Sequence, residues 1–256
     1  MNNEPHVPFL EQFGAGAWWP RYHAALRQLS LAGDEAAAIA AIQDAVSALG
    51  GNGAIYSHAI RHDASLTLVR TLVVGDAAWT HLYSTSEWCE EDPWLEHAAR
   101  SSTPALACEI QHSNDRQREI VDMLMRHDFA SALVVPAPSN FGRSSIGMLC
   151  IGATHHAHFE GSAFSMMRPI ARGLAMEVSD WCLRRMRAEL IERAQISSED
   201  LSLLRHEVLG HSSKLIAVNL HSTKSTIDSR FQRLSHRLGV ATRRDAVRLG
   251  RLYYLL

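Results

Sequence analysis

The order of apolar and polar positions predicts alternating helices and strands from Asp34 to Ala194. Between Asp34 and Leu49, apolar residues recur on one helical face, and Gly50-Gly51 then ends the helix. Further strands are predicted over Ala54–Ile60, Leu66–Val74, Ala105–Ile110, Ala130–Val135 and Ser145–Ala153, and further helices over Ala77–Ser84, Trp94–Arg100, Asp115–Arg126 and Gly161–Ala194. This order predicts an α+β fold, an α/β/α sandwich with a short antiparallel sheet between helical layers.

The C-terminal segment from Ser197 to Leu256 has a helical pattern throughout. One of its helices carries an apolar stripe at steps of four, three and four residues: Ile227, Phe231, Leu234 and Leu238. Gly239 follows the stripe directly, at the position where a glycine commonly ends a helix. Thr242, with Asp245 three residues later, predicts the start of a last helix. We therefore predict an all-α, four-helix domain that contains a helix-turn-helix.

The polar face of the striped helix suits DNA. Its side chains can reach phosphates and base edges, and those predicted to bind DNA are Lys224, Ser225, Thr226, Ser229, Arg230, Gln232, Arg233 and Arg237. The segment 197–256 has a formal charge of +5, whereas the rest of the chain has −7. A duplex attracts such a basic domain by counterion release. A small helical dimerisation domain with a solvated basic face would show the same pattern.

The predicted domains are a sensor and dimerisation domain over residues 20–185, a linker over 186–196 and the helical domain over 197–256. No apolar run is long enough for a transmembrane helix, so we expect no membrane contact. The N-terminus shows no secretion signal, and the four cysteines form no CxxC pair. Free thiols and a cytoplasmic location are the corresponding expectation.

Aromatic residues and one carboxylate cluster between Trp79 and Pro93. Trp79, Tyr83, Trp88 and Asp92 with Pro93 could wall a pocket that holds an apolar tail and one polar head. Asp92 would accept a hydrogen bond from a ligand amide, and the Trp79 indole would donate one to a carbonyl. Two structural alternatives remain. Asp92-Pro93 is also a good helix start, and Trp79 and Tyr83 are also suited to a core.

The C-terminal segment resembles the helix-turn-helix of LuxR-family transcription regulators, to which it aligns without a gap from Ile196 to Val247. The matching positions include Leu203-Leu204, Gly210, Ile216-Ala217, Leu220, Thr226-Ile227, Arg237-Leu238-Gly239-Val240, Arg243 and Ala246-Val247. Some positions depart from the family pattern: Ser198 replaces Pro, Ser202 replaces Glu, His221-Ser222 replaces Gly-Ile, and Arg230 replaces His. The resemblance implies binding to double-stranded DNA as a homodimer.

The series Trp79-x3-Tyr83-x4-Trp88-x3-Asp92-Pro93 is similar to the signature of the acyl-homoserine-lactone-binding domain that precedes this helix-turn-helix in quorum-sensing LuxR proteins. The resemblance implies that Trp79 meets the lactone carbonyl, Asp92 the amide N–H, and Tyr83 the acyl chain. It also places Cys150 near a family Ser or Thr that meets the acyl carbonyl. Four positions differ from the family pattern: Trp88 replaces a Tyr, Ala107 a Trp, Ala132 a Gly, and Trp94 a small aliphatic residue.

These features predict a ligand-responsive, DNA-binding regulator that senses an acyl-homoserine lactone or an analogue. The alternative is a ligand-independent LuxR-like antagonist that forms a heterodimer with another regulator. We expect no enzyme and no cofactor, since the chain lacks GxSxG, Walker and GxGxxG motifs. His155-His156-Ala157-His158, with Glu160, lacks a second ligand set at a familiar spacing, so a solvated loop is favoured over a metal site.

Overall fold

The structure, a computed structural model, describes residues 16–61, 66–75, 91–126, 129–139 and 144–256. The chain divides between Trp181 and Cys182 into two compact units, here called the N-terminal and the C-terminal unit. The predicted boundaries of sensor, linker and helical domain stay predictions. The predicted helix over Ala77–Ser84 lies outside the described residues.

The N-terminal unit contains a five-stranded antiparallel sheet and helices on both of its faces. Its strands are β1 (Gly53–Arg61), β2 (Leu66–Val74), β3 (Ala105–Leu106), β4 (Ser131–Pro138) and β5 (Ser145–Ala153), in the order β2-β1-β5-β4-β3. Its helices are α1 (Trp18–Leu31), α2 (Glu35–Ala48), α3 (Pro93–Arg100) and α4 (Asp115–Arg126), followed by α5 (Ser162–Arg193), which continues past the division. The predicted α+β sandwich is confirmed.

Local signals account for most of these elements. Asp34 caps α2 by accepting a hydrogen bond from the Ala37 N–H at 2.9 Å, as its sequence position predicted. Strand β5 is buried along its whole length because it lies in the middle of the sheet between two helical layers. Helix α1 was not predicted; it buries Tyr22, Ala25 and Leu29 at helical spacing.

The predicted strand over Ala105–Ile110 is correct only for its first two residues. After Leu106 the backbone forms a 3-10 turn over Ala107–Glu109. The Glu109 carboxylate accepts a hydrogen bond from the Leu106 N–H at 3.3 Å, and the Ile110 N–H donates to the Ala107 carbonyl. These local bonds replace pairing with β4 and turn Ala107 inward, where it is buried.

The two faces of the sheet have different cores. The face toward α3 and α4 carries a cluster of buried residues, here called the apolar layer: Ile55, Ala59, Val73, Trp94, Leu95, Ala107, Ile110, Ile120, Val121, Leu124, Phe129, Ala132, Val134, Ile146, Met148 and Cys150. On the opposite face, the buried His58 ring contacts the Tyr56 hydroxyl at 3.1 Å and the Ser145 hydroxyl at 3.0 Å.

The C-terminal unit contains α6 (Ser198–Val208), α7 (Ser213–Asn219), α8 (Lys224–Leu238) and α9 (Arg243–Leu252). The predicted apolar stripe of α8 is buried, and Gly239 ends that helix with φ 69°. Thr242 and Asp245 form the predicted capping box of α9. His221, in the turn before α8, has φ 48°, a left-handed conformation that favours glycine. The all-α fold with four helices is confirmed.

The buried His58 gives the protein a defined pH dependence. Burial lowers its pKa from 6.5 to about 4. As the pH falls from about 6.5 to about 4, the unfolded chain takes up this proton while the folded chain does not. We therefore expect the free energy of unfolding to fall by up to about 3 kcal/mol over this window, measured by urea unfolding at several pH values. His58→Gln removes this contribution, whereas His156→Gln, at an exposed position, keeps it. Parallel curves for the parent and His58→Gln would contradict the assignment.

Candidate functional site

Asp92 lies at the start of α3, where it caps the helix. Its Oδ1 accepts hydrogen bonds from the Trp94 N–H at 2.8 Å and the Leu95 N–H at 3.4 Å. Pro93 follows at the first helical position, where a missing N–H carries no penalty. Only 3% of Asp92 is exposed. The capping alternative therefore describes its geometry, and the predicted contact with a ligand amide remains a prediction.

Cys150 lies in the apolar layer, on the central strand β5. Burial raises the pKa of its thiol well above the usual value, and the charge of Asp92 raises it further. The thiol therefore stays protonated at neutral pH and provides one weak hydrogen-bond donor. Asp92 also starts the helix whose Trp94 and Leu95 lie in the same apolar layer as Cys150.

Trp94 and Ala107, two of the departures from the family pattern, lie in the same apolar layer. The Trp94 ring is fully buried and packs against Phe129, with 6.3 Å between the ring centroids. The sequence resemblance implied an indole at position 107 and a small residue at position 94. This chain instead brings its indole from helix α3 and leaves an alanine on the 3-10 turn.

Two described pockets border this layer. One, with a volume of about 210 Å³, is lined by Ala107 and Ala132 together with Met125, Ser131, His156 and Glu160. The other, of about 220 Å³, is lined mainly by residues of α3 and by Ala137, Ser139, Ser145 and Ile146. Each is smaller than the roughly 300–1,000 Å³ typical of a pocket that encloses a drug-sized ligand. Ala107 lines the first of these pockets, and its place beside a bound ligand remains a prediction.

Trp79, Tyr83 and Trp88 lie outside the described residues, and their predicted ligand contacts remain predictions. Ser57 was not singled out from the sequence. Its signal was a hydroxyl residue inside the strand Ala54–Ile60, at the position between Ile55 and Ala59 that shares their face of the sheet. Its side chain is buried.

The polar face of α8 is largely exposed. Among the residues predicted to bind DNA, the exposed ones include Lys224, Ser225, Ser229, Gln232 and Arg233. Two more are partly exposed, Thr226 and Arg230. Thr226 also takes part in the N-cap of α8, because its N–H donates a hydrogen bond to the Thr223 hydroxyl at 3.2 Å. The structure thus brings most of the predicted DNA-binding residues together on one surface.

Among the residues predicted to bind DNA, Arg237 makes the most side-chain hydrogen bonds within the C-terminal unit. Its guanidinium donates to the Asp200 carboxylate at 2.7 Å and to the carbonyls of Ala194 and Gln195. Burial raises the pKa of Asp200, but hydrogen bonds from the Ser197 N–H and from Arg237 outweigh this and hold it below its usual value. These contacts tie α8 to the start of α6.

Acidic residues also accompany other cations on or beside α8. Arg230 lies 3.2 Å from Glu199, and Lys224 lies 3.7 Å from Asp228. Hydrogen bonds from the Ser213 hydroxyl and from Arg243 lower the pKa of Asp228. Arg243 also lies over the Phe231 ring at 4.2 Å. Part of the basic charge of this unit therefore holds its helices together.

Among the described residues, no three His, Cys, Asp or Glu side chains come together as a metal site. No helix in the described part of the chain is long and apolar enough to cross a membrane. The described cysteines, Cys108, Cys150 and Cys182, form no disulfide with one another.

Solved structures share the fold. Escherichia coli SdiA matches with a TM-score of 0.65 and 12% identity over 93% of this chain and 98% of that one. SdiA in complex with octanoyl-rac-glycerol matches with a TM-score of 0.64 and 13% identity, over 93% and 96%. CepR2 from Burkholderia cenocepacia, a LuxR family transcription factor dependent on N-acylhomoserine lactone, has a TM-score of 0.52 and 16% identity, over 66% and 97%.

A comparison with curated protein sequences finds no match. The family model of the autoinducer binding domain, however, matches residues 34–180, which are more than half of the chain and contain the sheet, Asp92 and the apolar layer. The chain therefore belongs to the autoinducer binding domain family.

Proposed function

We propose that this protein is a small-molecule-responsive transcription regulator. Its N-terminal unit binds a neutral acyl compound, an acyl-homoserine lactone or an analogue. Its C-terminal unit binds double-stranded DNA, and the active form is a homodimer. The observation that carries the proposal is the autoinducer-binding match over a unit that buries a carboxylate beside an apolar layer.

The chemistry of the apolar layer supports an acyl ligand. Aliphatic and aromatic side chains suit a hydrocarbon chain, and a few buried polar groups suit its head. The Asp92 carboxylate accepts hydrogen bonds and carries negative charge, so it favours an amide N–H or a hydroxyl over a carboxylate ligand. The solved SdiA complex with octanoyl-rac-glycerol and the N-acylhomoserine lactone dependence of CepR2 agree in ligand class.

The exposed face of α8 supports DNA binding. Lys224 and Arg233 supply cations for phosphates, and Gln232 can make a bidentate contact with adenine. Buried residues fix the helix from its other side. A homodimer would present two such helices about one duplex turn apart, roughly 34 Å, and would select a two-fold symmetric site.

The ion pairs of the C-terminal unit favour a second candidate, the antagonist that pairs with another regulator. Arg230, Lys224 and Arg237 each have an acidic partner, which weakens their attraction to phosphates. A protein of this kind would form the heterodimer and reduce the partner's DNA binding.

Anisotropy titration of the purified full-length protein against labelled duplexes at several salt concentrations separates the two candidates. The regulator binds DNA with an affinity that falls with salt, and N-octanoyl homoserine lactone changes that affinity. A folded protein that binds no duplex, with or without this lactone, would contradict the regulator and favour the antagonist.

Substitutions of Asp92 separate its two roles. Asn caps a helix about as well as Asp, but its NH₂ group cannot accept a hydrogen bond from a ligand amide. Asp92→Asn is therefore expected to leave the melting temperature nearly unchanged and to weaken N-octanoyl homoserine lactone binding about 10–100-fold by calorimetry. Asp92→Ala is expected to lose the cap as well, at about 1 kcal/mol of stability. Equal lactone affinity in Asp92→Asn and the parent would assign the residue to capping alone.

Ala107 tests the shape of the site. Ala107→Trp adds an indole to the apolar layer that already holds Trp94 and fills the pocket that Ala107 lines. It is expected to shift preference toward shorter acyl chains, ranked by thermal-shift titration with a series of N-acyl homoserine lactones. The double substitution with Trp94→Ala relieves the crowding and is expected to restore longer chains. An unchanged ranking in Ala107→Trp would mean that this position does not border the ligand.

Three substitutions on α8 test the DNA contacts. Gln232→Ala is expected to relax preference at one half-site position by ~1–3 kcal/mol. Lys224→Ala should weaken binding to all sequences alike and reduce the salt slope by about one.

Arg237→Ala should instead lower the melting temperature, because Arg237 holds α6 and α8 together. Arg184→Ala, an exposed position on α5, is the control for loss of charge alone. A Lys224→Ala salt slope equal to that of the parent would remove Lys224 from the DNA surface.

A further inference from the structure

Two buried polar atoms next to the apolar layer have no hydrogen-bond partner among the described residues. One is the Nε1 of Trp94, whose side chain is fully buried, and the other is the Oγ of Ser57, whose residue is 1% exposed. Buried polar groups in proteins are normally paired, and each exception requires an explanation.

The two atoms belong to the same side of the sheet. Ser57 lies on β1 between Ile55 and Ala59, and side chains two residues apart on a strand share a face. Its neighbour on β5 is Met148, a member of the apolar layer. Trp94 enters that layer from α3. The sheet therefore supplies one unpaired group and the helix that covers it supplies the other.

Elsewhere in the N-terminal unit, buried indole, hydroxyl and imidazole groups have hydrogen-bond partners within the protein. The Trp181 indole donates to the Ala32 carbonyl at 2.9 Å, and the Tyr22 hydroxyl donates to the Ile170 carbonyl at 2.9 Å. His58 has partners for both ring nitrogens. These three groups are satisfied within the protein, in contrast to the Trp94 indole and the Ser57 hydroxyl.

An indole N–H only donates, so its partner must be an acceptor. The buried Asp92 carboxylate starts the helix that carries Trp94, so a second buried negative charge beside it is unfavourable and a fatty-acid anion is disfavoured. The surrounding side chains are apolar and fit a hydrocarbon chain. A neutral acyl ester or amide meets all three conditions, with its carbonyl oxygen as the acceptor.

We propose that Trp94 and Ser57 are specificity-determining residues of the ligand site. The Trp94 indole N–H donates to a carbonyl oxygen of a neutral acyl ester or amide, and the Ser57 hydroxyl binds a polar atom of the same ligand. This inference rests on the proposed function, and it adds two residues that the family signature in this sequence does not include.

The test uses two probes that differ by one carbonyl, 1-octanoyl glycerol and 1-O-octyl glycerol. The parent full-length protein is expected to bind the ester about tenfold more tightly than the ether, by calorimetry. Trp94→Phe keeps an aromatic ring and removes the N–H. It is expected to bring the two affinities within about threefold of each other. The smaller ring leaves a void, so the melting temperature of the ligand-free protein should fall, but by less than in a variant that also breaks a buried hydrogen bond.

Trp181→Phe is the matched control, because it removes a buried indole N–H that already has a partner. It should lower the melting temperature and keep the tenfold preference for the ester. Ser57→Ala should weaken binding of the ester several-fold and leave the ligand-free melting temperature unchanged or raised. Octanoate should bind no variant measurably.

Each other outcome overturns the inference in an identifiable way. An ester preference in Trp94→Phe equal to that of the parent overturns it and leaves the proposed function standing. A melting temperature lowered as much by Trp94→Phe as by Trp181→Phe means that the Trp94 N–H has a partner in the protein, and also overturns it. If the parent binds neither glycerol probe nor N-octanoyl homoserine lactone, the proposed function and the inference fail together.

Discussion

The burial of one carboxylate next to an apolar layer constrains the N-terminal unit more than any other interaction described above. Asp92 avoids the penalty of an unpaired buried charge because the first turn of α3 offers backbone N–H groups that no helical carbonyl satisfies. The same bonds fix where α3 starts, and Pro93 fits that start. Trp94 then follows one residue later and must enter the layer. Asp92 therefore fixes the start of α3 and the position of the Trp94 indole, and it places a carboxylate beside the apolar layer.

The two faces of the sheet differ in whether their buried polar groups are paired within the protein. On one face, Tyr56, His58 and Ser145 satisfy each other, so their burial supports the fold at neutral pH. On the other face, the Trp94 and Ser57 groups have no partner among the described residues. This difference is the basis of the proposed ligand contacts, because a polar group already paired within the fold gains little from a hydrogen bond to a ligand.

Some basic side chains of the C-terminal unit form ion pairs between its helices, and others are exposed to solvent. Arg237 with Asp200, and Arg243 with Asp228, join helices and orient α8. The net charge of this segment therefore overstates the number of cations available to DNA. What remains exposed along α8 includes Lys224, Gln232 and Arg233, a narrower surface than the sequence pattern alone defines. If this unit binds DNA as proposed, few side chains would neutralise phosphates, and the affinity would fall less steeply with salt than the net charge suggests.

Local signals in the sequence determined the elements: the Asp34 and Thr242 caps, the α8 stripe, Gly239 and most strands. They also identified Asp92 as both a cap and a site candidate. The tertiary structure alone decided features whose partners lie elsewhere in the fold: the contacts of Arg237 with Asp200 and the place of Ser57 in the sheet. Helix and strand periodicity record which face of an element is buried, but they do not record what lies against it. Whether a buried polar group finds a hydrogen-bond partner is decided only when segments that are distant in the sequence pack against each other.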